Sequence, residues 1–159
     1  MLKPISRKNV RGRHGRFAIV ASQYNARYVG AMVTAARAEL KRAGTKRVEL
    51  YRVPGAYEIP LIASRLARTR SASSPALSAI ICLDVILRGE TVHAAHIGEA
   101  VSRALMDIQL RCEIPVIHEV LLLENEAQAR KRCLSRTHNR GAEAAQTALA
   151  MAQVMQRLT

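Results

Sequence analysis

Four short, nearly unbroken apolar runs, at residues 17–22, 48–53, 79–87 and 115–121, alternate with longer stretches of helical periodicity. Runs this short and continuous suit strands buried on both faces, the condition of a parallel sheet held between helices. An open α/β sheet is the expected class. The helical stretches fall at 28–43, 57–69, 92–112, 124–134 and 139–158. In the first, Met32, Ala35, Ala36, Leu40 and Ala43 share one face, and Gly44 stands at a natural C-terminal stop. Residues 71–78 read as a surface loop, and there is no repeat or second domain.

At 159 residues with 49% hydrophobic content, such a chain buries roughly two-thirds of its surface without metal or disulfide support. Cys82, Cys112 and Cys133 form no C-x-x-C pattern, which argues against a disulfide framework and a structural zinc, and for a reducing, cytoplasmic setting. The longest apolar run, at 79–83, falls far short of the roughly 20 residues of a membrane helix. Residues 1–16 read as a basic tail ahead of a single domain at 17–159. The tail carries +6 of the net charge of +13. Being Arg-rich and free of acids it is like a transit segment, but Pro4, Gly12 and Gly15 spoil an amphipathic helix, and the apolar stretch that follows is too short for a secretory signal. The charge invites non-specific association with RNA or another polyanion. Phe17, Tyr24, Tyr28, Tyr51 and Tyr57 are the only aromatics, too few for a base-stacking strand.

Ligands of open α/β sheets gather outside the carboxyl ends of the strands, so the loops there are where chemistry belongs. After the third strand, Leu87-Arg88-Gly89-Glu90-Thr91-Val92-His93 turns into a helix. Gly89 permits close backbone approach, Thr91 is placed to cap the helix, and the free N–H groups favour phosphate or carboxylate. A well-capped helix with no ligand gives the same pattern. His93 sits beside this anion site, where an imidazole exchanges protons near neutral pH. His96 follows on the same face, but two histidines without a third ligand make no metal site. His118, inside the fourth strand, reads as a hydrogen-bonded core residue. The second strand ends in Pro54-Gly55-Ala56-Tyr57-Glu58, which offers a carboxylate and backbone groups to a heterocycle or polyol. Tyr24, after the first strand, offers a flat face. Arg130, Lys131, Arg132 and Arg140 are basic; nothing local says which one meets an anion.

The motifs V-P-G-A-Y-E-I-P at 53–60, R-G-E-T-x-H at 88–93, Q-A-x-x-R at 128–132 and N-R-G-x-E-A-A at 139–145 resemble, in order and spacing, the lumazine synthases of riboflavin biosynthesis. The resemblance covers residues 17–158. It implies a flavodoxin-like α/β/α sandwich with a four-stranded parallel sheet. The activity it implies is condensation of 5-amino-6-ribitylaminouracil with 3,4-dihydroxy-2-butanone 4-phosphate, giving 6,7-dimethyl-8-ribityllumazine, phosphate and two waters, with no metal or cofactor. It further implies a site between neighbouring subunits of a pentamer or a 60-subunit cage. Carried over by position, Tyr24 stacks on the pyrimidine; Ala56, Tyr57 and Glu58 hold the ring and ribityl hydroxyls; Ile86 and Leu87 line the pocket. Glu90 and Thr91 bind phosphate with Arg132 as its charged partner, and His93 moves protons. His118 and Arg140 complete the substrate-binding set.

The chain departs from the family pattern at several places. Asp84 replaces a glycine, His118 an aromatic and Glu119 a glycine, Arg140 replaces a lysine, and Ala94-Ala95-His96 replaces an aromatic-Asp-aromatic run. His118 in place of Phe is expected to weaken ring packing or to pair with Glu119. These departures keep a second reading open, a shell or nucleic-acid-associated protein with impaired turnover. No residues are inserted between the last two helices, which favours the cage.

Overall fold

A computed structural model describes residues 15–72 and 74–158, so most of the basic tail lies outside the described residues. Four strands, β1 (Arg16–Ser22), β2 (Arg47–Val53), β3 (Leu77–Leu87) and β4 (Val116–Leu123), form a parallel sheet of order β2-β1-β3-β4. Five α-helices cover it: α1 (Ala26–Arg42), α2 (Ile59–Arg68), α3 (His93–Cys112), α4 (Glu126–Cys133) and α5 (Arg140–Gln156). The expected three-layer sandwich is what forms. Alternate strand residues point to opposite faces. Phe17, Ile19, Ile81 and Leu83 therefore pack with α1, α4 and α5, while Ala18, Val20, Ile80 and Cys82 pack with α2 and α3.

Strand β1 begins at Arg16, one residue inside the expected tail, because Arg16 is held there. Its guanidinium donates to Glu49 of β2 at 2.9 and 3.1 Å and is 8% exposed. Helix α1 ends as its sequence predicts: Gly44 takes φ 84°, its N–H donates to the Lys41 carbonyl and that of Thr45 to Leu40, a Schellman closure. The stretch expected to be helical from 57 opens instead with one 3-10 turn, Ala56–Glu58. Pro60 then falls in the first turn of α2, where its missing N–H has no intrahelical partner to lose.

Two packing features fix the remaining helices. Asn139 caps α5, accepting from the Gly141 N–H at 2.8 Å and donating to the Cys133 carbonyl, so α4 and α5 are tied end to start. Gly141 lies directly against the Met32 backbone of α1.

Candidate active site

The carboxyl ends of all four strands and the loops that follow them are tied together by hydrogen bonds to backbone carbonyls. Gln23 N–H donates to Val53 O at 2.9 Å, Asn25 Nδ2 to Val85 O at 2.6 Å, and Arg88 N–H to Leu123 O at 2.8 Å. Asn25 takes φ 49°, a left-handed conformation that asparagine tolerates better than most residues. Arg88 also pairs with Glu124 at 3.0 Å, joining the turn after β3 to the turn after β4.

On this rim Tyr24 and Tyr57 stand out at 70% and 66% exposure. A side chain on Gly55 would meet the Tyr24 ring and Glu58 Oε2, each at 3.2 Å. Gly55 thus lets the aromatic face and the carboxylate come together. Glu58 Oε2 accepts the Gly55 N–H at 2.9 Å, so one of its oxygens closes its own turn. Ala56 is buried beneath. Gly55 was not among the expected site residues; the Pro-Gly turn was visible, but its proximity to Tyr24 depends on β1 and β2 being neighbours.

Under Tyr24 lies a buried polar pair. Asp84 is 2% exposed, and the Ser22 hydroxyl donates to its Oδ1. Burial raises the Asp84 carboxyl above its ordinary range, against the lowering effect of the Ser22 hydroxyl and the Val85 N–H. The glycine-to-aspartate departure is therefore a satisfied core contact between the ends of β1 and β3.

The turn into α3 presents Glu90, Thr91 and His93 to solvent. Thr91 does not cap as expected. The helix begins at His93, with Val92 in the cap position and no side-chain cap, and Thr91 Oγ1 receives only a long 3.4 Å contact from the His93 N–H. The first-turn N–H groups of α3 have no carbonyl upstream within the helix. Ile86 and Leu87 are half-buried at the end of β3 and point to opposite faces, Ile86 toward α2 and α3, Leu87 toward α1. Among the described residues no group of three or more His, Cys, Asp or Glu side chains could hold a metal ion.

The other expected residues lie on edge strand β4 and the helices after it. His118 is exposed rather than a core residue; it stands on the α3 side of edge strand β4, between the buried Val116 and Val120, with its ring against Ser102. It does not pair with Glu119; the two point to opposite sides. Val120 N–H donates to His118 Nδ1 at 3.2 Å, so the neutral ring carries its proton on Nε2 and gives it to Ser102 Oγ at 2.7 Å. The Ser102 hydroxyl in turn donates to the Gly98 carbonyl at 2.7 Å. Though the residue is exposed, desolvation of the ring on its α3 side lowers the His118 pKa, consistent with this neutral ring. Ser102 is therefore no activated nucleophile, since the nitrogen facing it is a donor.

Glu119, 8% exposed, faces α4 and α5. Arg140 Nε and Nη2 donate to its two oxygens at 3.0 and 2.9 Å, and Arg140 Nη1 donates to Glu143 at 2.7 Å. Burial pushes the Glu119 carboxyl up to about 7, opposed by Arg140 and more weakly by Arg132. Arg132 is exposed. Among the described residues no hydrogen bond or ion pair links Arg132 or Arg140 to Glu90, Thr91 or His93. Among the described residues, then, no hydrogen bond or ion pair joins the imidazole and phosphate-side candidates after β3 to the guanidinium set beside β4.

Helices on both faces of a four-stranded parallel sheet, with loops gathered at its carboxyl rim, make this an α/β sandwich of the flavodoxin-like architecture. Residues 14–156 match the 6,7-dimethyl-8-ribityllumazine synthase family, and the chain belongs to that family. It is 37% identical over 145 residues to the 6,7-dimethyl-8-ribityllumazine synthase of Xanthomonas campestris pv. campestris (strain B100), covering 90% of this chain and 91% of the relative. It is equally similar, at 37% over 145 residues and 90% of each chain, to that of Stenotrophomonas maltophilia (strain R551-3). Nothing in these likenesses favours a shell protein without turnover.

Proposed function

We propose that the chain condenses 5-amino-6-ribitylaminouracil with 3,4-dihydroxy-2-butanone 4-phosphate to 6,7-dimethyl-8-ribityllumazine at a site completed by a second copy of itself. The observation that carries the shared site is that, among the described residues of one chain, no hydrogen bond or ion pair joins the candidates after β3 to the guanidinium set. Tyr24, Ala56, Tyr57 and Glu58 receive the pyrimidine and its ribityl chain; Ile86 and Leu87 close the rim. Glu90, Thr91 and the N–H groups opening α3 receive the phosphate, where the helix dipole favours negative charge. Arg132 and Arg140 arrive from the neighbour, a guanidinium being suited to bidentate contact with a phosphate. His93 shuttles protons as the amine adds to the carbonyl, as phosphate leaves and as the ring closes with loss of water. Alignment of the two reactants supplies much of the remaining acceleration.

Complementation tests this. His93→Ala and Arg132→Ala damage different sets, so each alone is expected to lower turnover by roughly a hundredfold or more. Unfolded together and reassembled in equal amounts, they regain product fluorescence to about a quarter of the wild-type level, because in a closed ring that fraction of interfaces pairs two intact sets. Mixed particles with no recovery would place the whole site in one chain and overturn the proposal.

For the assembly, a pentamer built into a 60-subunit cage fits the short link between α4 and α5. The three free thiols suit a reducing cytoplasm, and no helix among the described residues is long and apolar enough to cross a membrane. Association with RNA or another polyanion is favoured by Arg37, Lys41 and Lys46, which line a groove of about 400 Å³ beside β2 without an ion pair among the described residues. The native particle's mass is expected to correspond to 60 chains. Its absorbance is expected to carry a nucleic-acid excess that high salt removes; a pure-protein spectrum, indifferent to salt, contradicts the polyanion.

A further inference from the structure

We infer that Glu119 is a positioning residue, which fixes the Arg140 guanidinium in one orientation, so that Arg140 and Arg132 enter the shared site as unlike groups. This rests on the shared-site reading above. The backbone of Arg140 is already immobilised: Asn139 caps α5 through the Gly141 N–H, and Gly141 is pressed against Met32. Glu119 then takes the side edge of the guanidinium through Nε and Nη2, and Glu143 takes one N–H of Nη1. Of five N–H donors three are committed, which leaves one on each Nη. The Arg140 side chain is 33% exposed, so this end reaches the surface. It arrives as an aimed donor, held by two carboxyl groups. Arg132, exposed and without an ion pair among the described residues, keeps its full charge for a phosphate.

The departures at 119 and 140 are then one exchange. A glycine with a lysine leaves a mobile point charge; a glutamate with an arginine replaces it with a planar fork held from behind. Either change alone breaks the arrangement. Arg140→Lys leaves Glu119 buried with a partner unable to bond both oxygens, and Glu119→Gly frees the guanidinium.

The test is a double-mutant cycle on the full chain, with Glu119→Gly, Arg140→Lys and the two combined, read by steady-state kinetics and by the NMR signal of Arg140 Hε. Each single variant is expected to raise KM for at least one substrate about tenfold with kcat changed far less. The combination returns to within a few-fold of wild type, which a purely structural defect would not do. Glu119→Gln preserves the side-chain shape should the glycine variant fold poorly, and is expected to raise KM in the same direction. The Arg140 Hε signal is slow to exchange in wild type and lost in Glu119→Gly, whether or not the enzyme turns over. Unchanged KM in both Glu119 variants, or singles whose effects simply add, overturns the inference. A wild-type protein with a protected Arg140 signal but no turnover overturns instead the activity on which it rests.

Discussion

Gly141→Ala is expected to unfold at a temperature roughly 10 °C below wild type. A Cβ at this position would lie 2.0 Å from the Met32 carbonyl oxygen and 2.5 Å from its carbon. The obstacle is helix backbone, so no side chain can turn aside; α1 and α5 have to separate. Met32, Ala36 and Leu40 of α1 share one continuous core with Ala144, Ala145, Ala148 and Leu149 of α5, and a shift opens gaps in it. Overpacking typically costs 1–3 kcal/mol and more where the neighbour is rigid, which places this variant at or above about 3 kcal/mol. Thermal unfolding followed by circular dichroism reads it directly. A midpoint within about 2 °C of wild type would mean that the helices part without loss.

Stability is expected to peak on the acid side of neutrality. In the folded chain Glu119 holds its proton until about pH 7, whereas the unfolded chain releases it near the ordinary value of about 4.3. Between these values the folded state binds the extra proton, so raising the pH through this window favours unfolding, by on the order of 3 kcal/mol once complete. The charged groups around it are Arg140, Glu143 and Arg132, with the Cys133 thiol held up to about 11. Asp84, also raised by burial, acts with the same sign. Glu49 acts oppositely: hydrogen bonding to Arg16 lowers its carboxyl to about 2, so its contribution is present above its unfolded pKa and disappears as the pH falls toward 2. Urea midpoints from pH 3 to pH 8 are expected to rise, pass through a maximum near pH 5 and decline, with the decline flattened in Glu119→Gln. A wild-type midpoint that climbs steadily from pH 5 to pH 8 is incompatible with a proton on buried Glu119.

The layered fold was legible in the sequence because it depends on local periodicity: the four apolar runs became the four strands, with ends shifted by a residue or two. The rim was legible for a related reason. Motifs at 53–60 and 88–93 are contiguous, and both follow strands whose carboxyl ends lie together. What escaped reading are contacts between residues far apart in the chain. Ser22 with Asp84, Ser102 with His118 and Glu119 with Arg140 each depend on sheet order and on which face a side chain takes, and neither is set by local spacing. His118 was misjudged for that reason. Strand β4 is an edge, and although alternation puts the ring on the face of the buried Val116 and Val120, it stays exposed with its Nε2 against Ser102. The tight approach at Gly141 depends on the α1–α5 distance, and a glycine near a helix start carries no mark of it.

Those three polar pairs tie positions 84, 118 and 119 to residues far along the chain. A glycine at 84 or 119 would leave the Ser22 hydroxyl or the Arg140 guanidinium without the carboxyl group it now bonds, whereas an aromatic at 118 would cost Ser102 only its His118 contact, its hydroxyl still bonding Gly98. Relatives with the same substitutions are expected to hold them as matched sets, and a protein engineer grafting one position at a time will find intermediates worse than either end.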